Sequence, residues 1–262
     1  MKSQCGEFVS VRNLAFVALV AFVTVVASAA SAQSPRSSVV DDLSKLPLTE
    51  MPAQPDTGNT LAIFLTGDGG WASLDKQVVA EMRAHGIAVV GLNTRSYLSK
   101  RKTADEIAGD LTRISRHYLA AWNRPRLTIV GYSRGADIMP FGVAEMPSDL
   151  RGRIVLLGLL GFGTWTGFEF HFEDIFGAVR RPTDQPTLPV LARLKGMKVL
   201  CVFGSDEKDS GCRDAPPGLI ARKVELPGGH HWDSDYKAVG DLIVDELRGG
   251  QASNAVRSPA EH

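Results

Sequence analysis

The stretch Leu127-Thr-Ile-Val-Gly131-Tyr-Ser133-Arg-Gly135-Ala-Asp137 constrains the chain more than any other. An apolar run of strand length leads into G-x-S-x-G, and a helix-compatible segment follows at once. The context matters because the motif alone is weak: with 26 glycines in 262 residues, chance matches occur. Between a strand and a helix the two glycines have a mechanical reason, since a side chain at 131 or 135 would collide with neighbouring backbone in so sharp a turn. Ser133 is thereby lifted to the carboxyl end of a sheet.

The rest of the chain supplies that sheet. Short apolar runs alternate with longer amphipathic segments, the pattern of a mostly parallel sheet wrapped by helices. Strands are expected at 61–65, 87–92, 127–130, 154–160, 199–203 and 221–226, and helices at 75–85, 103–122, 134–146 and 234–248. The helix from Thr103 opens on a Thr-x-x-Glu capping box with Glu106 and carries Ile107, Leu111, Ile114 and Tyr118 along one face. With Ser133 at the end of a strand, this is the α/β-hydrolase arrangement, with helices on both faces of the sheet.

A serine hydroxyl is a poor nucleophile at neutral pH, so a base must stand within hydrogen-bond reach, and in this arrangement it follows the last strand. Leu226-Pro-Gly228-Gly229-His230-His231-Trp232 lies there. His230 directly follows the double glycine, where a tight turn aims its ring back over the sheet, and it is preferred over His231. The acid should follow the preceding strand, within Ser205-Asp206-Glu207-Lys208-Asp209. Asp206, closest to the strand end, is the first choice, Asp209 the second and Glu207 the third.

Attack on a carbonyl also requires donors for the oxyanion, one after the nucleophile and one after the first strand of this core. Thr66-Gly67-Asp68-Gly69-Gly70-Trp71 occupies the second position, which makes the amides of Asp68 and Arg134 the natural pair. Gly67, Gly69, Trp71 and Tyr132 are the expected substrate contacts. A phosphate-binding loop is excluded by the absence of the G-x-x-x-x-G-K-[ST] spacing and its lysine. The spacing of the cysteines suits no metal site either, and neither a metal nor another cofactor is expected.

The first residues read as an address. Lys2 and Arg12 precede an apolar run from Leu14 to Ala27, which passes into Ala30-Ser31-Ala32, a signal-peptidase pattern. The apolar run is shorter than the roughly 20 residues of a spanning helix. Residues 1–32 are therefore expected to be a signal peptide, 33–59 a proline-rich leader, 60–248 the catalytic domain and 249–262 a frayed tail. Cys5 leaves with the signal. Of the 3 cysteines, Cys201 and Cys212 remain, spaced for one disulfide in an oxidising compartment, with a buried strand thiol at Cys201 as the alternative. Lys plus Arg equals Asp plus Glu at 29 each, so no overall field draws the chain to nucleic acid or to an anionic membrane.

Taken together, GDGGW at 67–71, GYSRGAD at 131–137, FEFHF at 168–172, GSDEKDSGC at 204–212 and PGGHHWDSDY at 227–236 resemble the VirJ/AcvB bacterial virulence protein family. The resemblance spans about residues 60 to 247, with five motifs in the family's order. It implies a periplasmic hydrolase, with serine and histidine at Ser133 and His230, linked to type IV secretion and to hydrolysis of lysyl-phosphatidylglycerol. It also leaves open a generic carboxylesterase or thioesterase, and a non-catalytic partner of secretion-system proteins.

Under the lipid reading, Trp165, Phe168, Phe170, Phe172 and Phe176 form either an apolar cap for acyl chains or ordinary core, with peripheral membrane contact in the first case. Lys100-Arg101-Lys102 is either a headgroup contact or a solvated loop. A surplus acid, Asp209 or Glu207, is expected to recognise a cationic aminoacyl group, with Asp68, Glu169 and Glu173 next in line.

Overall fold

The computed structural model describes residues 42–176 and 179–249. The expected signal peptide and its cleavage pattern, Cys5, the first part of the expected leader and the tail after Gly249 lie outside the described residues.

The strands are β1 (Leu48–Met51), β2 (Thr60–Leu65), β3 (Ala88–Leu92), β4 (Arg126–Tyr132), β5 (Ile154–Leu160), β6 (Trp165–Thr166), β7 (Gln185–Pro186), β8 (Val199–Gly204) and β9 (Arg222–Leu226). The helices are α1 (Ser73–Ala84), α2 (Thr94–Tyr97), α3 (Ala104–Ala121), α4 (Arg134–Glu145), α5 (Ser148–Arg151), α6 (Thr187–Ala192), α7 (Gly211–Asp214) and α8 (Tyr236–Leu247). Seven strands form one sheet in the order β1-β3-β2-β4-β5-β8-β9, and β6 pairs with β7 as a separate ribbon. All neighbours in the large sheet are parallel except β1, which pairs antiparallel with β3. This is the α/β-hydrolase-like fold expected from the alternation of apolar runs.

The central strands are apolar on both faces because both faces are covered. In β2, Leu61, Ile63 and Leu65 point into a core shared with α3 and α4, through Ile107, Leu111, Ile114, Ile138 and Met139. Ala62 and Phe64 point the other way, toward Val78, Met82, Val239 and Ile243 of α1 and α8. The period of two thus divides one strand between two cores. α3 begins where its capping box requires: Glu106 N–H donates to Thr103 Oγ1 at 3.1 Å and Thr103 N–H donates to Glu106 at 2.8 Å.

The leader, expected to have little regular structure unless Leu43, Leu46 and Leu48 tie it down, is tied down by those leucines on the α3 side of the core and adds an unforeseen edge strand, β1, with Leu48 opposite Leu92. Four prolines hid a short strand because an edge needs ladder hydrogen bonds on only one side.

Consecutive strands β2 and β3 lie on one side and β4 and β5 on the other, so the chain reverses direction across the sheet at the β2–β4 boundary. In open α/β sheets, ligands bind outside the carboxyl ends of the strands at such a point. The loop after β2 and the turn after β4 meet there.

Candidate active site

β4 is buried along almost its whole length and leads directly into Ser133, whose φ of 52° and ψ of −123° place a non-glycine residue in a strained region. Neighbouring backbone permits nothing larger than glycine on either side. A β-carbon at Gly131 would lie 2.5 Å from the backbone of Gly135 and Ala136, and one at Gly135 would lie 2.4 Å from the Leu65 carbonyl. The serine N–H donates to the Leu160 carbonyl at 2.8 Å, which ties the turn to β5. Arg134 is the first residue of α4, so its N–H has no acceptor within the helix.

The loop after β2 turns tightly, with Gly70 at φ 66° and its N–H donating to the Gly67 carbonyl at 3.0 Å. Asp75, fully buried in the first turn of α1, accepts the Ala72 N–H at 3.0 Å, and burial pushes its carboxyl up to about 6. The buried Arg134 guanidinium joins this loop to the segment over the site. Its Nε donates to Asp68 at 3.3 Å, and its two Nη atoms donate to the Gly167 carbonyl and to Asp174, each at 3.2 Å. Burial raises the Asp68 carboxyl, with Arg134 opposing that effect.

After β9, His230 Nδ1 stands 2.6 Å from Glu207 Oε1. Glu207 is buried, whereas the imidazole is 40% exposed and faces the cavity. The acid preference therefore needs correction: Glu207 meets the histidine, and Asp206 and Asp209 do not. Asp206 N–H donates to the Gly228 carbonyl at 2.9 Å, which turns its carboxylate outward to accept the Ser205 hydroxyl at 3.1 Å. The next residue is rotated inward, and the extra methylene of glutamate spans the added distance. Asp209 instead accepts the hydroxyl of Thr164. The acid loop is braced by the Cys201–Cys212 disulfide and by Arg213, which donates to the carbonyls of Gly204, Ser205 and Glu207.

His231 occupies another position, its Nδ1 3.1 Å from the Tyr132 hydroxyl. Burial lowers its pKa, and so does nearby His230. Tyr132 lies beneath both histidines, 5.2 Å from the His230 ring centroid, and burial raises its phenol far above the ordinary range.

These groups share one open cavity of about 590 Å³, lined among others by Gly67, Asp68, Gly69, Tyr132, Ser133, Asp137 and His230. Trp71, expected as a substrate contact, is not among its lining residues. It stacks on Phe64 at 6.1 Å and covers Gly91, where a β-carbon would lie 1.9 Å from its ring. A second lobe of about 150 Å³ adds Arg180, Asp184 and Thr166 beside Ser133. Asp137, quoted in the motif but given no role from sequence, lines both lobes. Its position one helical turn after the serine was the available signal.

The aromatic segment divides. Phe168 packs edge-on against Phe141 at 4.9 Å, and both Phe168 and Phe170 lie against the core. Trp165 lines the cavity under the Arg180 guanidinium, 3.3 Å from its ring centroid. Phe172 is 66% exposed, and the side chain of Phe176 lies outside the described residues. Of the basic run, Lys102 pairs with Asp110 at 3.7 Å while Lys100 and Arg101 are exposed.

The sequence profile of one family, Bacterial virulence protein (VirJ), matches residues 59–251. The chain belongs to the VirJ family. No curated protein sequence matches significantly. Among solved structures, Est1E from Butyrivibrio proteoclasticus is similar at 13% identity and a TM-score of 0.52, covering 78% of this chain and 96% of that one. XC6422 from Xanthomonas campestris, described as an α/β serine hydrolase without a lid, is similar at 16% identity and a TM-score of 0.53, covering 79% and 90%. MenH from S. aureus gives 14% and 0.54, covering 78% and 99%. At these identities the likeness establishes the α/β-hydrolase fold for this VirJ-family chain.

Proposed function

We propose that this VirJ-family chain is a serine ester hydrolase, with Ser133 as nucleophile, His230 as general base and Glu207 as the acid that orients the base. The observation that carries the reading is the 2.6 Å contact between His230 Nδ1 and buried Glu207, in a cavity that also contains the strained Ser133 turn. A carboxylate on Nδ1 leaves Nε2 as the atom that accepts the serine proton, and it stabilises the imidazolium that forms.

Ser133 Oγ attacks the ester carbonyl as its proton passes to His230 Nε2. The negative charge on the carbonyl oxygen falls to the N–H groups of Asp68 and Arg134. Collapse breaks the bond to the alcohol, which leaves with the proton from His230. The acyl group then rests on Ser133 until a water, deprotonated by His230, repeats the cycle and releases the acid. No redox partner enters any step.

For the substrate we favour an aminoacyl ester of a phospholipid, cleaved in the periplasm after removal of residues 1–32. Carboxylates outnumber cations in the main lobe: with Asp68 and Asp174 paired to Arg134, there remain Asp75, Asp137 and Asp209 against Arg95. That lining suits a positively charged acyl group better than a plain fatty acyl chain. A plain carboxylesterase is the second reading, favoured by the likeness to esterases such as Est1E, for which a complex with ferulic acid is described.

The deciding experiment is to give purified protein aminoacylated and plain phosphatidylglycerol, alongside Ser133→Ala. Release of the amino acid by the parent and not by the variant is expected. Cleavage of fatty acyl chains with the aminoacyl ester untouched would favour the second reading, and equal turnover by Ser133→Ala would end the serine mechanism. Loss of a triad nucleophile costs on the order of 10⁶ in turnover.

A further inference from the structure

We propose that Asp137 is the specificity-determining residue of this site and that its carboxylate receives the ammonium of the substrate's acyl group. The inference rests on the ester-hydrolase reading and adds to it a named residue for the positive charge.

Most acids near Ser133 already have an assignment. Glu207 is occupied by His230. Asp68 and Asp174 share the Arg134 guanidinium, and Asp174 also pairs with Arg181 at 2.7 Å. Asp184 accepts the Arg181 N–H at 2.8 Å, and Asp209 accepts the Thr164 hydroxyl from an exposed loop. Asp137 differs. Its Oδ1 accepts one backbone N–H, from Gly163 at 2.8 Å, and among the described residues no cation forms an ion pair with it. It is nevertheless partly buried and lines both lobes of the cavity together with Ser133.

A carboxylate withdrawn from water without an ion pair is costly: burial pushes the Asp137 carboxyl up to about 7, with the Gly163 N–H and the more distant charges of Arg134 and His230 only partly opposing it. A ligand that brings an ammonium into the cavity removes that cost and gains a charge-assisted hydrogen bond. Position favours the role as well. Asp137 stands one turn along α4 from the nucleophile, and its N–H donates to the Ser133 carbonyl at 3.0 Å, so serine and carboxylate belong to one rigid element. In an aminoacyl ester the ammonium is one carbon from the carbonyl under attack. A group that binds it must therefore be fixed relative to Ser133, as Asp137 is through the first turn of α4.

The test compares alanyl and propionyl esters of phosphatidylglycerol in detergent micelles, which differ only in the amino group. Asp137→Asn keeps the acceptor for the Gly163 N–H and removes the charge. We expect kcat/KM for the alanyl ester to fall about 10- to 100-fold, mainly through KM, with the propionyl ester changed by less than about threefold. Asp137→Glu should keep part of the preference. As a check independent of any variant, alaninamide should inhibit propionyl-ester hydrolysis by the parent at least about tenfold more strongly than uncharged propionamide. If Asp137→Asn leaves the alanyl-to-propionyl ratio unchanged, or the two amides inhibit alike, the assignment of Asp137 is overturned while the hydrolase reading stands. If Ser133→Ala cleaves both esters at the parental rate, the hydrolase reading itself fails.

Discussion

Gly161 lies against the His230 imidazole: a β-carbon at 161 would stand 2.5 Å from Cε1 of the ring. Its φ of 60° also suits glycine. The residues flanking it on both sides touch the nucleophile, the acid loop and Asp137. The Leu160 carbonyl accepts the Ser133 N–H, the Phe162 carbonyl accepts the Gly211 N–H of the acid loop, and Gly163 donates to Asp137. The turn after β5 thus sets the spacing of nucleophile, base and acid, although it carries none of them.

Gly161→Ala should therefore displace His230 without unfolding the sheet. A misplacement of about 1 Å costs on the order of 10²-fold in rate. The expected result is a kcat at least about a hundredfold lower, with a circular dichroism spectrum like that of the parent. Unchanged kcat would mean that the ring is not held by this contact.

Replacing each loop acid by its amide separates their roles. Glu207→Gln should lower kcat by about 10⁴ on any ester, because an amide on Nδ1 permits the wrong imidazole tautomer. Asp206→Asn should change kcat by less than about threefold, its carboxylate being turned outward onto Ser205. His231→Ala should likewise be mild beside His230→Ala. If Asp206→Asn is the inactive variant, the 2.6 Å contact is not the working one.

How much of this was legible beforehand follows from what each feature depends on. The strand–Ser133–helix turn and the turn before His230 announce themselves because sterics demand glycine at 131, 135 and 228. The sheet was legible because two-sided burial leaves continuous apolar runs such as 61–65 and 199–203. The choice among Asp206, Glu207 and Asp209 was not, because it depends on a long-range hydrogen bond from Asp206 N–H to Gly228 that rotates the loop by one residue. Trp71 misled for a related reason. Adjacent to a glycine loop it reads as a binding residue, yet Gly91, twenty positions later, makes the hollow that accepts its ring.

The Cys201–Cys212 bond ties β8 to α7 on the far side of the Glu207 loop. Cross-linking positions 11 apart removes denatured-state entropy worth about 3 kcal/mol in the chain-entropy model. Reduction, or a Cys201→Ala and Cys212→Ala double variant, should lower the urea midpoint accordingly. It should also reduce kcat several-fold at temperatures where the fold persists, because the acid loop loosens. Two free thiols in unfolded, unreduced protein produced in an oxidising compartment would contradict the bond.

The last prediction concerns pH and follows from the fully buried Asp75 and the partly buried Asp137 beside the site. Burial raises the folded-state carboxyls of Asp137 to about 7 and of Asp75 to about 6, both above the ordinary 3.8. Between about pH 4 and 7 the folded chain therefore holds protons that the unfolded chain has released. By linkage, these two acids contribute stability that falls as pH rises through that window. Below about pH 4 both states are protonated and the effect vanishes; above about pH 7 the penalty is complete. Asp137→Asn removes the ionisation while keeping an acceptor for the Gly163 N–H. It should thus be more stable than the parent at pH 8, by about 1–3 kcal/mol after solvent screening, and indistinguishable from it near pH 4. Urea melts of both proteins at the two pH values make the comparison. A variant that gains stability at pH 8 while losing turnover on the alanyl ester would mark Asp137 as a charge held at the expense of the fold. A variant less stable than the parent at pH 8 would instead mean that the Asp137 carboxylate already has a stabilising partner in the free protein.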